Sequence, residues 1–363
     1  MAGMVVKHLA VFLPNWVGDV VMATPALRAL RAHFADARIT HVGRPIALEL
    51  LAQERLADRT LADRGGSCRM WGAGWELVRQ LRADRADLAV LLPNSFRSAA
   101  LAWLGGARRR AGYARNGRSL LLQVRLKPPR DACGRYVPIS AIDYYNALAC
   151  RLGANDPGRR MRLTVSDPQR QQAAGLLARH GWRGDSPTVM LNPGASFGVS
   201  KMWRPDRFAA LADALADSRA AQIIINAAPS ERDIAAEVEH HMRRRPLMNL
   251  ARLDNSLSLL KALLARCQLL VTNDTGARHV AAAVGTAVVT LFGSTDPRWA
   301  AIDYAREAIV RVDVPCGPCR RRICPAVPGP RYHRCMEAIT PEMVIAPARR
   351  LLDEAWARME GRA

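Results

Sequence analysis

Short apolar runs alternate with helical patterns along almost the whole chain of 363 residues. In the first half, 8–13 (HLAVFL), 37–42 (ARITHV) and 87–92 (DLAVLL) have the length and composition of buried strands. Helical patterns around 20–34, 44–52 and 95–104 follow them. In the second half, 188–192 (TVMLN), 222–227 (QIIINA), 268–273 (QLLVTN) and 287–292 (AVVTLF) repeat the alternation. This order predicts an α/β fold of parallel sheets covered by helices on both faces. The alternation loosens over 153–186, where Pro157, Gly158, Pro168, Gly181, Gly184 and Pro187 punctuate the chain and place a domain boundary near 180. The expected organisation is a domain over 1–180, a second over 181–340, and an arginine-rich closing helix over 341–363. A weak internal echo links the halves: LLPNSFRSAALAWLGG and LLVTNDTGARHVAAAVG each run strand, asparagine, polar turn, alanine-rich helix, glycine.

Composition narrows the classes. Half the residues are hydrophobic and 23% charged, which excludes a disordered chain, and the length exceeds what one core usually holds. The formal net charge is +21, and lysine occurs only at 7, 127, 201 and 261, so all but four of the 53 basic residues are arginine. Such a field favours an anionic partner: nucleic acid, an acidic membrane surface or a phosphorylated substrate. An arginine-rich bias on solvated faces accounts for it equally well. Aromatic residues make up only 6%, and no stacking or recognition-helix motif accompanies the arginines, so nucleic acid is the weakest of these partners. No apolar run reaches the length of a membrane span. Pro14, Asn15, Gly18 and Asp19 interrupt the apolar start, which reads as a first strand rather than a cleaved leader. Four of the eight cysteines are scattered (68, 133, 150, 267), unlike a secreted disulfide framework, so a cytoplasmic protein is expected.

In open α/β sheets ligands bind beyond the carboxyl ends of the strands. Three loops there carry candidate chemistry. In NWVGDVV, Asp19 stands at a helix start, where it is either an N-cap or a carboxylate able to accept a proton from a nucleophile. In LNPGASFGVSKMWRP, Ser196, Gly198 and Ser200 leave backbone amides accessible and Lys201 supplies a compact cation suited to phosphate. In NDTGARHVAAAVG, Thr275 and Gly276 permit close approach to a helix start whose free amides suit a diphosphate. Asp274 could cap that helix, and His279 lies one turn inside. A capped core helix with a satisfied histidine is the alternative.

Together, LPNWVGDVVMATPALRAL, the PNSF and RNGRS turns, NPGASFGVSKMWRP and VTNDTGARHVAAAVGTAVVTLFGSTDP resemble, in order and over nearly the whole chain, the heptosyltransferases of glycosyltransferase family 9. The pattern is most like the lipopolysaccharide heptosyltransferase II branch. The resemblance implies a GT-B fold, two Rossmann-like domains facing across a cleft, with acceptor in the first and ADP-L-glycero-D-manno-heptose in the second. It implies Asp19 as catalytic base, and Ser196, Lys201, Glu231, Asp274, Thr275, Gly276 and His279 at the donor. The implied acceptor is the inner core of lipopolysaccharide, at the cytoplasmic face of the inner membrane. Its carboxylates and phosphates suit arginines of the first domain, including Arg97, Arg108, Arg109, Arg110, Arg115 and Arg118, of which Arg97 and Arg118 are favoured, with Asn94 and Ser95 beside them. Two departures stand out: Arg278 occupies a position where small residues are commoner, and KMWRP is one residue longer than the usual K-x-W-P. Arg278 then reads as an added phosphate contact or an outward-facing charge.

No Asp-x-Asp pair stands in a suitable loop, so catalysis without a metal or other cofactor is expected. Separately, Cys316, Cys319, Cys324 and Cys335, with His333 nearby, have spacing that suggests a structural zinc site; reduced thiols or disulfides are the alternatives. Other GT-B transferases, a nucleotide-sugar epimerase and a basic nucleic-acid-binding protein are the competing functions.

Overall fold

A computed structural model of the chain describes residues 5–65 and 73–360. Cys68 and the last three residues of the expected closing helix lie outside them. The chain divides into two compact units, one holding the chain up to Arg162 together with Arg298–Ile302, the other holding Leu163–Pro297 and the chain from Asp303 onward. The passage between Arg162 and Leu163 falls inside the loosened stretch 153–186.

The first unit contains β1 (His8–Phe12), β2 (Arg38–Gly43), β3 (Arg59–Ala62), β4 (Leu88–Leu91), β5 (Arg109–Tyr113) and β6 (Val124–Leu126). The second contains β7 (Thr188–Asn192), β8 (Gln222–Ile225), β9 (Met248–Asn249), β10 (Leu269–Asn273), β11 (Ala287–Phe292) and β12 (Glu307–Arg311). Their orders are β3-β2-β1-β4-β5-β6 and β12-β11-β10-β7-β8-β9, and the pairings within each sheet are parallel. Counted within its own unit, each sheet has the 3-2-1-4-5-6 order of a doubly wound fold. The order reverses between β1 and β4 in one sheet and between β7 and β10 in the other, and those two points position the candidate chemistry.

The central strands form because continuous Val, Leu and Ile runs satisfy a sheet buried on both faces. Leu88–Leu91 and Leu269–Val271 are fully buried. In the second unit the fully buried Trp203 packs edge-on against Phe208 at 5.0 Å, and its indole N–H donates to the Ile339 carbonyl. The closing helix, Pro341–Glu360, adds Val344, Ala348, Leu351 and Leu352 to the same core. The helical pattern at 20–34 resolves into two helices, Val17–Met22 and Thr24–His33, because Pro25 opens a new first turn where its missing N–H costs nothing.

Residues 298–302 return late in the chain to complete the first unit. The Ser140 hydroxyl, which caps the helix Ala141–Arg151, donates to the Ala301 carbonyl at 2.6 Å. No helix among the described residues is long and apolar enough to cross a membrane.

Candidate active site

In the second unit, the turns after β7, β10 and β11 converge on one cation. Lys201 ends a 3-10 turn, Val199–Lys201, and its ammonium donates to the Asp274 carbonyl at 2.9 Å and to Asp274 Oδ2 at 2.6 Å. Thr295, after β11, donates to the same carboxylate at 2.8 Å. Burial alone would raise the Asp274 carboxyl, but Lys201, Arg278 and Thr295 outweigh it and hold the group below the usual carboxylate range. Phe197 lies under Lys201, with Nζ 4.8 Å from the ring centre.

Asp274 therefore does not cap the helix that follows. The N-cap of Gly276–Val284 is Thr275, whose side chain makes no capping bond; its hydroxyl lies within 3.3 Å of Asn192 Nδ2 and 3.1 Å of Thr272 Oγ1. The first amides of this helix are thus left without a side-chain acceptor, and its positive end stays open to an anion. His279 is buried; burial first, then Arg278, depresses its imidazole to about 3, so it is neutral at ordinary pH. Its Nδ1 is buried and has no hydrogen-bond partner.

Arg278 is neither an outward-facing charge nor a diphosphate contact. It is fully buried and grips the Glu307 carboxylate on β12 through Nε at 2.5 Å and Nη2 at 2.8 Å, while Thr290 donates to the same carboxylate. Glu231 bends back to accept from the Ala228 N–H at 3.2 Å and lies directly over Gly194, where an added Cβ would fall 2.1 Å from its Oε2. Ser196 is exposed on the β7 turn. The Lys201 turn is held from a distant part of the chain: Ser200 donates its N–H to the Arg322 carbonyl at 3.1 Å and its hydroxyl to the Arg321 carbonyl. Gly198, at positive φ, passes so close to Arg322 that a Cβ would meet its carbonyl oxygen at 2.4 Å.

In the first unit, Asp19 is the third residue of the helix Val17–Met22, in its first turn; the N-cap is Trp16. Asp19 is half-buried and lies beside the buried Tyr145. The Tyr145 hydroxyl is pushed well above its ordinary range by burial and then by the Asp19 charge. After β4, Ser95 caps the helix Phe96–Leu104 by accepting from the Ser98 N–H. Arg118 is fully buried and donates to the Tyr113 and Pro93 carbonyls and to Asn94 Oδ1. Arg97 pairs with Asp63 through both of its terminal nitrogens. Both arginines are thus bound within the unit, and Asn94 Oδ1 also accepts from the Tyr144 hydroxyl at 3.0 Å.

Among the described residues no group of three or more His, Cys, Asp or Glu side chains is placed to hold a metal ion. Cys316, Cys319, Cys324 and Cys335, read from their spacing as a zinc site, are not joined in disulfides. They do gather, since Cys335 is pushed up to about 11 by burial and then by its three neighbours. The segment's visible contribution is to brace the Lys201 turn.

The model of glycosyltransferase family 9 (heptosyltransferase) matches residues 74–328. The chain belongs to that family. Lipopolysaccharide heptosyltransferase 2 of Escherichia coli is 28% identical over 351 residues, 93% of this chain and 97% of that protein. Lipooligosaccharide heptosyltransferase 2 of Campylobacter jejuni is 25% identical over 94% of this chain and 97% of its own. Among solved structures, a family 9 glycosyltransferase of Veillonella parvula superposes with a TM-score of 0.80 at 23% identity, covering 96% of this chain and 97% of that one. The E. coli ADP-heptose lipopolysaccharide heptosyltransferase II superposes with a TM-score of 0.75 at 25% identity, covering 96% and 99%. The protein is a family 9 glycosyltransferase of GT-B architecture.

Two side chains around Lys201 and Asp274, Thr295 and Phe197, were not singled out in the sequence, and Ser200 was read only for its backbone amide. Thr295 was signalled by its place after β11, at the same sheet end as Asp274. Phe197 and Ser200 lie in the loop already singled out, but their contacts with Lys201 and with residues 321–322 depend on tertiary packing.

Proposed function

We propose that this glycosyltransferase moves L-glycero-D-manno-heptose from ADP-heptose to the inner core of lipopolysaccharide, with inversion at the anomeric carbon. The observation that carries the reading is the uncapped start of the helix Gly276–Val284 beside Lys201. A cation and free amides at one point suit a leaving diphosphate, whose charge grows in the transition state. Lys201 exchanges its contact with Asp274 for the diphosphate, Thr275 and Gly276 admit it, and neutral His279 supplies a ring nitrogen. Glu231 takes the nucleotide ribose and Ser196 borders the donor. Support comes also from the relatives, heptosyltransferases matched over more than nine-tenths of the chain.

Asp19 acts as general base toward the acceptor hydroxyl. A carboxylate is far too weak to ionise an alcohol beforehand, so the proton moves within the transition state, as the sugar–phosphate bond breaks. Such catalysis is worth about 10²–10⁴-fold. Asn94, Ser95, Arg97 and Arg118 shape the acceptor turn, the last two mainly by fixing it. Charge on the leaving group is met by Lys201 and the helix, so the reaction proceeds without a metal. The net charge of +21 favours peripheral contact with the anionic inner face of the inner membrane.

The test is ADP release by the purified full chain from ADP-heptose, with and without an inner-core acceptor, in the presence of EDTA. Acceptor-dependent release with an inverted product linkage is expected. Release independent of acceptor, or none with any core acceptor, overturns the assignment.

A further inference from the structure

Arg115 and Arg130, in the first unit, are settled differently from the other arginines near the acceptor turn. Both guanidiniums lie over the ring of Tyr136, 4.0 and 4.3 Å from its centre. Arg130 also donates to the Tyr136 hydroxyl at 2.9 Å and to the Gly134 carbonyl at 2.7 Å. Among the described residues neither has a carboxylate partner, whereas Arg97 is paired with Asp63. The Arg115 Nε is buried and makes no hydrogen bond. A buried donor left without an acceptor is uncommon, and two uncompensated cations over one ring repel each other; an anion between or beside them would relieve both.

The place is as informative as the charge. The Arg115 guanidinium lies beside the Tyr144 hydroxyl, which itself donates to Asn94 Oδ1. Tyr144 is stacked on Tyr113 with centroids 3.6 Å apart, so the phenol that links Arg115 to the Asn94 turn cannot swing away. The next residue, Asn116, donates to the Asn94 carbonyl at 2.9 Å. The guanidinium pair is therefore built onto the turn after β4, at the carboxyl end of the sheet, where an acceptor would lie.

We propose that Arg115 and Arg130, held over Tyr136, bind an oxyanion of the acceptor, a carboxylate or a phosphate. The naming of the ligand rests on the transfer reading above; the anion site itself does not. A planar guanidinium offers two parallel donors to either group, and the aromatic ring holds the planes without neutralising them.

The experiment uses the full chain with two readouts. Steady-state transfer is measured with an inner-core acceptor, and direct binding by calorimetric titration of the deacylated core oligosaccharide without donor. Arg115→Gln is expected to raise the acceptor KM and the oligosaccharide Kd about 10- to 100-fold, with kcat at saturating acceptor and the donor KM within about twofold. Tyr136→Phe keeps the ring and should stay near wild type, while Tyr136→Leu should follow Arg115→Gln. Repeating the titration with dephosphorylated and with carboxyl-reduced oligosaccharide separates the two anions: the modification that erases the difference between wild type and Arg115→Gln names the group. Unchanged acceptor KM and Kd in Arg115→Gln, or a kcat loss matched by a lowered melting temperature in both Tyr136 variants, overturns the proposal. Oligosaccharide binding that needs Arg115, without any heptosyl transfer, would instead sink the transfer reading and leave the anion site standing.

Discussion

The turn after β4 and the turn after β10 hold the same place in two sheets of the same order, yet they treat the following helix in opposite ways. After β4, Ser95 caps the helix Phe96–Leu104 and closes its positive end. After β10, the helix Gly276–Val284 has no side-chain cap, and the carboxylate that could have provided one, Asp274, faces Lys201 instead. Their asparagines differ as well. Asn94 collects Arg118 and Tyr144 around an open turn, whereas Asn273 is fully buried, accepting from the Trp203 N–H and donating to the Pro193 carbonyl. Of these two strand–turn–helix units, only the second leaves its helix start without a side-chain cap.

The sharpest way to break that comparison is kinetic. Asp19→Ala should lower kcat about 10²–10⁴-fold with ADP-heptose affinity unchanged, whereas Lys201→Ala should lower kcat about 10²–10³-fold and also weaken ADP binding. Loss of ADP binding in the first variant, or its retention in the second, reverses the roles of the two units. The buried arginines give a contrast in stability. Arg278→Met strands the Glu307 carboxylate and should cost about 3–5 kcal/mol in denaturant unfolding, most of it recovered by adding Glu307→Leu. Arg118, held mostly by carbonyls and drawn down to about 10 by burial, has no such rescue partner. An Arg278→Met protein as stable as wild type would mean the pair contributes nothing.

A further contrast lies in acid stability. His41 in the first unit is held to about 4, by burial and then Arg31, and His279 in the second to about 3. Unfolded, each would take a proton near pH 6.5, so both stabilise the native state fully above that pH. As acid is added from pH 6.5 toward 4, each removes about 1.4 kcal/mol per pH unit. His41→Gln and His279→Gln should each flatten the fall of the urea midpoint over that window; an unaltered profile refutes the assignment for that residue.

Most of the fold was legible because the central strands are continuous apolar runs. The strands that did not announce themselves are the four sheet edges, β3, β6, β9 and β12, together with β5. Edge strands are covered on fewer sides, so RTLA, VRL, MN and EAIVR carry polar or too few residues to form a pattern. In β5 the buried Arg110 masks the strand, its guanidinium answering the Ala107 and Leu121 carbonyls. The turn after β10 was readable from small residues and a histidine at one helix start, and Lys201 from its glycine- and serine-rich loop. The fate of Arg278 was not, since its partner Glu307 lies 29 residues further on and across a strand. Arg97 and Arg118 stood out as cations in the sequence, but only packing reveals that Arg97 pairs with Asp63 and Arg118 is buried against carbonyls, while Arg115 and Arg130 lie over Tyr136.

The return of residues 298–302 to the first unit has a consequence for synthesis and for dissection. A chain made from its amino terminus has all six strands of the first sheet long before the Ala301 carbonyl that receives Ser140 exists. The first unit can begin to condense early but is completed only after β11 of the second has emerged, so the two fold as an interleaved pair. A fragment ending at Arg162 would carry every strand of its sheet and still lack a structural part.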